Sequence, residues 1–129
     1  MLLLDTHIVL WVAQSPSLLS SEAYDALRST READALAISD KTLWELAMMI
    51  SRDFVRVRTP IRDFLDAVEK NFRVLPINAA IAERSMQFSL RYPRDPSDLI
   101  IGATALVHGI KLVTADRKIR KSGEVPCIW

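Results

Sequence analysis

The most constraining stretch of this chain is residues 95–117, DPSDLIIGATALVHGIKLVTADR. It opens on Asp95-Pro96, an acid able to cap free helical N–H groups followed by the residue suited to the first helical position. An apolar run follows through Leu99, Ile100, Ile101, Ala103, Leu106 and Val107, and Gly109 stops it. Residues 111–114 read as a strand, and Asp116 comes just after its end. Asp98 falls at the third helical position, near the positive end of the helix. If the helix folds back along the strand, Asp98 and Asp116 meet at one edge of a sheet. Two acids held together in this way need a cation, and that cation needs other ligands.

The rest of the chain supplies a frame for them. Residues 2–4 read as a buried strand and 6–13 as a helix that Ser15-Pro16 breaks. Residues 20–32 form an amphipathic helix on Ala23 and Leu27, and 35–38 a second strand. Ser39 or Asp40 caps a helix to Ser51, with Leu43, Leu46, Ala47 and Ile50 on one stripe. Thr59-Pro60 starts a helix striped by Ile61, Phe64, Leu65, Val68 and Phe72. Residues 73–77 read as a third strand, and Asn78 caps a helix to about Arg91. After the Ser122-Gly123 turn, 125–129 read as a final strand. Strands alternate with helices and are continuously apolar, as strands covered on both faces are. The expected fold is a three-layer α/β/α sandwich with a mainly parallel central sheet. With no linker or shift in composition, residues 1–129 are expected to form a single domain.

In such sheets ligands bind beyond the carboxyl ends of the strands, so the acids there matter most. Asp5 directly follows the first strand and Asp116 the strand at 111–114. Glu45 lies in the second turn of the helix after the second strand, and Asp98 in the first turn of its own. Of the 16 acids, the other 12, Asp34 and Asp95 among them, fall mostly on polar helix faces or in turns. Asp5 is the most telling, because an unpaired carboxylate between MLLL and IVLWV is costly to bury. Taken singly, Asp5, Asp98 and Asp116 are accounted for as helix or turn caps. Glu45 lies opposite the apolar stripe, a place that suits solvent slightly better than a cleft. Taken together, four carboxylates at one edge call for a cation. All-oxygen ligation suits Mg²⁺ or Mn²⁺, and no His or Cys pairs point to zinc. Thr6 and Thr114 stand next to two of the acids, able to hydrogen-bond them. Trp11, Trp44 and Trp129 read as core or interface residues before base-stacking platforms, and His7 as a partly buried structural histidine before an aid to phosphate binding.

Charge and composition narrow the class. Setting the four acids aside leaves 12 against 17 Lys and Arg, an excess of +5 outside the cleft, which would suit a phosphate-bearing substrate, although composition alone favours ordinary solvated surface charge. Arg91, Arg94, Arg117, Lys118, Arg120 and Lys121 flank the acidic stretch, either as guides for a nucleic-acid backbone or as an ordinary solvated face. No segment reaches the ~18–20 apolar residues of a membrane span. The start lacks a basic region ahead of its apolar run, so a secretory signal is not expected. A single cysteine, Cys127, excludes an internal disulfide and suits a cytoplasmic protein.

Four motifs carry a resemblance: LLLDTH at 2–7, LWELA at 43–47, RDPSDLIIGATAL at 94–106 and LVTADR at 112–117. In that order they resemble the PIN-domain family, and most of all the VapC-type toxins of bacterial toxin–antitoxin pairs. The resemblance implies a parallel sheet with helices on both sides and a Mg²⁺- or Mn²⁺-dependent endoribonuclease. It implies an acidic quartet of Asp5, Glu45, Asp98 and Asp116 for catalysis and metal binding, with Asp95 as an outer helper and Thr114 as a polar neighbour. It also implies a VapB-type antitoxin that blocks the cleft, and a homodimer. His7 stands where many relatives have Asn, and Ser97 and Leu99 replace an aromatic and an arginine often found beside the third acid.

Two other readings compete. An Asp-nucleophile phosphatase would use Asp5, but wants a second acid where His7 stands. In a non-catalytic binding module the carboxylates would only cap helices. A nucleotide-binding dehydrogenase is not expected, since Gly102, Gly109 and Gly123 form no phosphate-cradling loop.

Overall fold

Among the described residues every strand is short and every strand pairing is parallel. The computed structural model describes residues 1–32 and 35–129, so Asp34, read above as a surface acid, lies outside the described residues. The elements run β1 (Leu2–Leu4), α1 (Thr6–Gln14), a 3-10 turn (Pro16–Leu18), α2 (Ser21–Glu32), β2 (Leu36–Ser39) and α3 (Asp40–Ser51). Then come α4 (Ile61–Asn71), β3 (Arg73–Leu75), α5 (Ala79–Ser85), α6 (Pro96–His108), β4 (Lys111–Val113), α7 (Arg117–Ser122) and β5 (Cys127–Ile128). The strands lie in the order β3-β2-β1-β4-β5, with Leu3 opposite Ala37 on one side and Leu112 on the other.

Because successive strand residues point to opposite faces, the sheet sorts its side chains into two cores. Leu3, Ala37 and Leu112 face one layer, where they join Ile81 of α5, Ile101 of α6 and Ile119 of α7. Leu4, Ile38 and Val113 face the other, with Ile8 and Val9 of α1, Leu27 of α2, Leu46 of α3 and Val68 of α4. This is the expected three-layer α/β/α sandwich. The chain winds from β1 outward through β2 to β3, then returns to the far side of β1 as β4. The carboxyl ends of β1 and β4 therefore flank the point where the winding reverses, where such sheets leave a crevice.

Helix α6 forms as its sequence requires. The Asp95 side chain accepts from the Ser97 N–H at 2.9 Å, Pro96 starts the first turn, and Gly109 ends the helix at φ 63°. Four elements differ from expectation, one of them β5, which spans only Cys127–Ile128 of the expected 125–129. Strand β3 ends at Leu75 because Pro76 has no N–H to continue the ladder. Helix α5 ends at Ser85, well short of Arg91, because the following segment turns inward to bury Phe88 and Tyr92 against α6. Helix α7 was not expected; it is a short polar helix whose buried side chains are Ile119 and Ser122, capped by Asp116 and closed by Gly123 at φ 68°. Among the described residues no helix is long and apolar enough to cross a membrane.

Candidate active site

Five carboxylates converge on a cavity of about 430 Å³ at the carboxyl ends of β1 and β4: Asp5, Glu45, Asp95, Asp98 and Asp116. Four local devices bring them there. Asp5 ends β1 and caps α1, its Oδ1 accepting from the Thr6 N–H at 2.8 Å. Asp116 follows β4 and caps α7, its Oδ1 accepting from the Ile119 N–H at 3.0 Å. Asp95 caps α6, and Asp98 stands one turn further along the same helix. Glu45 comes from α3, whose start is fixed by the buried Ser39 hydroxyl accepting from the Lys41 N–H at 3.1 Å.

Two threonines tie these devices together. The buried Thr114 hydroxyl donates to Asp5 Oδ2 at 2.7 Å and accepts from the Asp116 N–H at 3.1 Å, joining the ends of β1 and β4. The Thr6 hydroxyl donates to Glu45 Oε1 at 2.7 Å and lies 3.1 Å from the Thr42 hydroxyl. An ionised carboxylate only accepts, so the Thr6 proton goes to Glu45 and Thr42 donates to Thr6. On the far side of α6, the buried Tyr92 hydroxyl donates to the backbone carbonyl of Asp98 at 2.6 Å.

The electrostatics are those of uncompensated negative charge. Asp98 is pushed up to about 7, by burial first and then by Asp5, Asp95, Asp116 and Glu45. Burial also raises Asp5, against hydrogen bonds from Thr114 and Thr6 and the nearby His7, while Asp116 adds to the rise. Glu45 is raised by burial, offset in part by hydrogen bonds from Thr6 and Ser97, with Asp5 and Asp95 pushing upward. The ion pairs Arg56–Asp53 and Arg62–Asp66 lie elsewhere, and none among the described residues reaches these carboxylates. A hard, all-oxygen donor set with no cation of its own fits Mg²⁺ or Mn²⁺. As the side chains stand, no three His, Cys, Asp or Glu residues among those described are set to hold one ion. Asp5, Asp95 and Asp116 are anchored by their caps. Glu45 is held by the Thr6 hydroxyl instead, while Asp98 caps no helix.

A family model of the PIN domain matches residues 2–125. The chain belongs to the PIN-domain family. Ribonuclease VapC22 of Mycobacterium tuberculosis is 32% identical over 118 residues, spanning 92% of this chain and 88% of that protein. Among solved structures, a toxin–antitoxin complex from Klebsiella pneumoniae is similar at 27% identity and a TM-score of 0.63, over 90% of this chain and 87% of that one. VapBC2 from Rickettsia felis, bound to a DNA fragment from its promoter, shares the fold at a TM-score of 0.75 and 18% identity, over 98% and 96% of the two chains.

This PIN domain brings together all seven residues picked out in the sequence: Asp5, Thr6, Glu45, Asp95, Asp98, Thr114 and Asp116. Glu45, whose place on α3 leaned slightly to solvent, is instead half-buried and lines the cavity. His7 is exposed on the cavity wall, correcting its reading as a partly buried structural residue. Trp11 was read as core or interface, yet it also lines the cavity, 6.4 Å from His7 and 5.8 Å from Trp129 between ring centres. The signal for Trp11 was available, because it stands four residues after His7 on one helix face. Thr42 and Ser97, the remaining hydroxyls that support Glu45, were not singled out.

Proposed function

We propose that this chain, as one domain over residues 1–129, is a metal-dependent endoribonuclease and the toxin of a VapB–VapC-type pair. The observation that carries the reading is the gathering of four acids, Asp5, Glu45, Asp98 and Asp116, in one cavity where no Lys or Arg among the described residues forms an ion pair with them. The name of the M. tuberculosis relative supports ribonuclease activity, and the K. pneumoniae complex supports a protein antitoxin as partner. A homodimer and a cytoplasmic location follow from the same family reading.

In this reading Asp5, Glu45, Asp98 and Asp116 hold Mg²⁺ or Mn²⁺. When bound, such an ion lowers the pKa of water and neutralises charge on a phosphodiester. The protein's part is positional. Thr114 fixes Asp5 relative to Asp116, Thr6 fixes Glu45 relative to β1, and Asp95 holds the start of α6 and adds negative charge beside Asp98. Asp98, with a pKa of about 7 in the metal-free cleft, must shed its proton to act as a ligand.

The binding-module reading draws on one observation: Asp5, Asp95 and Asp116 do cap helices. Capping is worth about 1 kcal/mol per helix end and needs one carboxylate oxygen. It gives no reason for Asp98 and Glu45, which cap nothing and have raised pKa values. The test is cleavage of a mixed tRNA and rRNA pool by antitoxin-free protein with Mn²⁺ or Mg²⁺, with EDTA, and with Asp98→Asn. Metal-dependent cutting that vanishes in the variant supports the ribonuclease. Equal cutting by the variant removes the assigned cleft from the chemistry.

A further inference from the structure

The acidic cavity continues into a second one, of about 490 Å³, which shares Asp95, Asp98 and Asp116 with it and is rimmed by Arg94, Arg117 and Lys118. The cations flanking the acidic stretch look alike in the sequence, but the structure sorts them. Arg94 is committed to the backbone, one guanidinium nitrogen donating to the carbonyls of Phe88 and Ser89. Arg120 donates to the Ala115 carbonyl at 3.3 Å, and its Nε is buried. Arg91 and Lys121 are exposed and border neither cavity. Arg117 and Lys118 are left: both exposed, both at the mouth, and neither paired with Asp98 or Asp116 although they share the cavity with them. They do not neutralise the cleft, so their charges are available to an anion lying beside it.

We propose that Arg117 and Lys118, in the first turn of α7, form a subsite for the phosphates of the RNA strand next to the bond placed in the acidic cavity. The proposal rests on the ribonuclease reading above. Asp116 belongs to both cavities and caps α7, so the helix that presents the two cations is seated by one of the acids of the cleft. The sugar–phosphate chain can then pass from one cavity to the other along a shared wall. Such contacts hold and orient the strand without reading its sequence.

The test is binding of a fluorescein-labelled single-stranded oligoribonucleotide, followed by anisotropy over a salt series. All proteins carry Asp98→Asn so that the probe stays intact. Adding Arg117→Ala with Lys118→Ala should raise Kd roughly tenfold and reduce the log–log salt slope by about 1.4, the loss of two phosphate contacts on a single strand. The exchange Arg117→Lys with Lys118→Arg should keep most of the affinity, and Lys121→Ala should change neither quantity. The subsite is overturned if the double alanine variant binds with unchanged Kd and slope, or if Lys121→Ala weakens binding equally. A parallel cleavage assay on protein with Asp98 intact separates the two readings. No metal-dependent cutting, with RNA binding still dependent on Arg117 and Lys118, would remove the ribonuclease reading and leave the subsite standing.

Discussion

At the scale of single residues, the site depends on hydroxyls that hold carboxylates in place. Thr114 spends its one proton on Asp5 and its oxygen on the Asp116 N–H. Thr114→Val keeps the shape and removes both contacts, leaving a buried carboxylate short of a donor. It should cost about 1–3 kcal/mol, measured by denaturant unfolding, and it should slow cleavage as well. Asp98 gives a pH signature with a definite sign. Its folded pKa of about 7 lies above the 3.8 of an unperturbed Asp. Between those values the metal-free folded protein binds more protons than the unfolded chain, so stability falls as pH rises through that window. Asp98→Asn should flatten that fall and raise the Tm of the metal-free protein at pH 8. A steeper decline in the variant would mean that Asp98 is not the strained acid. These pairings could not be read from sequence. Thr114 and Asp5 are 109 residues apart, and Thr6 and Glu45 are 39 apart. The sequence offered neighbouring hydroxyls and acids, while only the sheet order says which of them meet.

At the scale of elements, helix α6 is the most exacting. Tyr92 lies stacked on Phe88, with ring centres 3.9 Å apart, and its hydroxyl sits where a Cβ on Gly102 would go. Gly102→Ala would gain up to ~1 kcal/mol of helix propensity. Overpacking a fully buried tyrosine costs about 1–3 kcal/mol, so the overpacking wins. The variant should melt lower than the parent and loosen the turn that carries Asp98. Both ends of α6 were legible because capping is local chemistry: Asp95-Pro96 and Gly109 act within a few residues. The end of α5 was not, because Phe88 and Tyr92 turn inward to meet a helix that comes later in the chain. Helix α7 was missed for a different reason. It is six residues long and polar, and too short to show a periodic stripe. Its two signals were Asp116 before it, read both as a cap and as a ligand, and Gly123 after it, read as part of a turn.

At the scale of the whole molecule, the fold class was legible because short, continuously apolar strands between helices imply a sheet covered on both faces. The same sheet order, β3-β2-β1-β4-β5, sets Asp5 and Asp116 beside the point where the winding reverses. Helices α3 and α6 bring Glu45 and Asp98 to that point. Such a mouth is held together against its own charge, so a divalent ion should stabilise the entire fold. At a hundredfold excess over Kd the gain is about 2.7 kcal/mol, and chelation should reverse it. The most direct measurement is Mn²⁺ binding by titration calorimetry and electron paramagnetic resonance, on wild-type protein and on Asp98→Asn and Glu45→Gln. The account predicts saturable binding by the wild type, weakened in both variants, with proton release near pH 7 that disappears in Asp98→Asn. Wild-type protein that binds no Mn²⁺, or variants that bind it equally well, would contradict the claim that these acids converge to hold a metal ion.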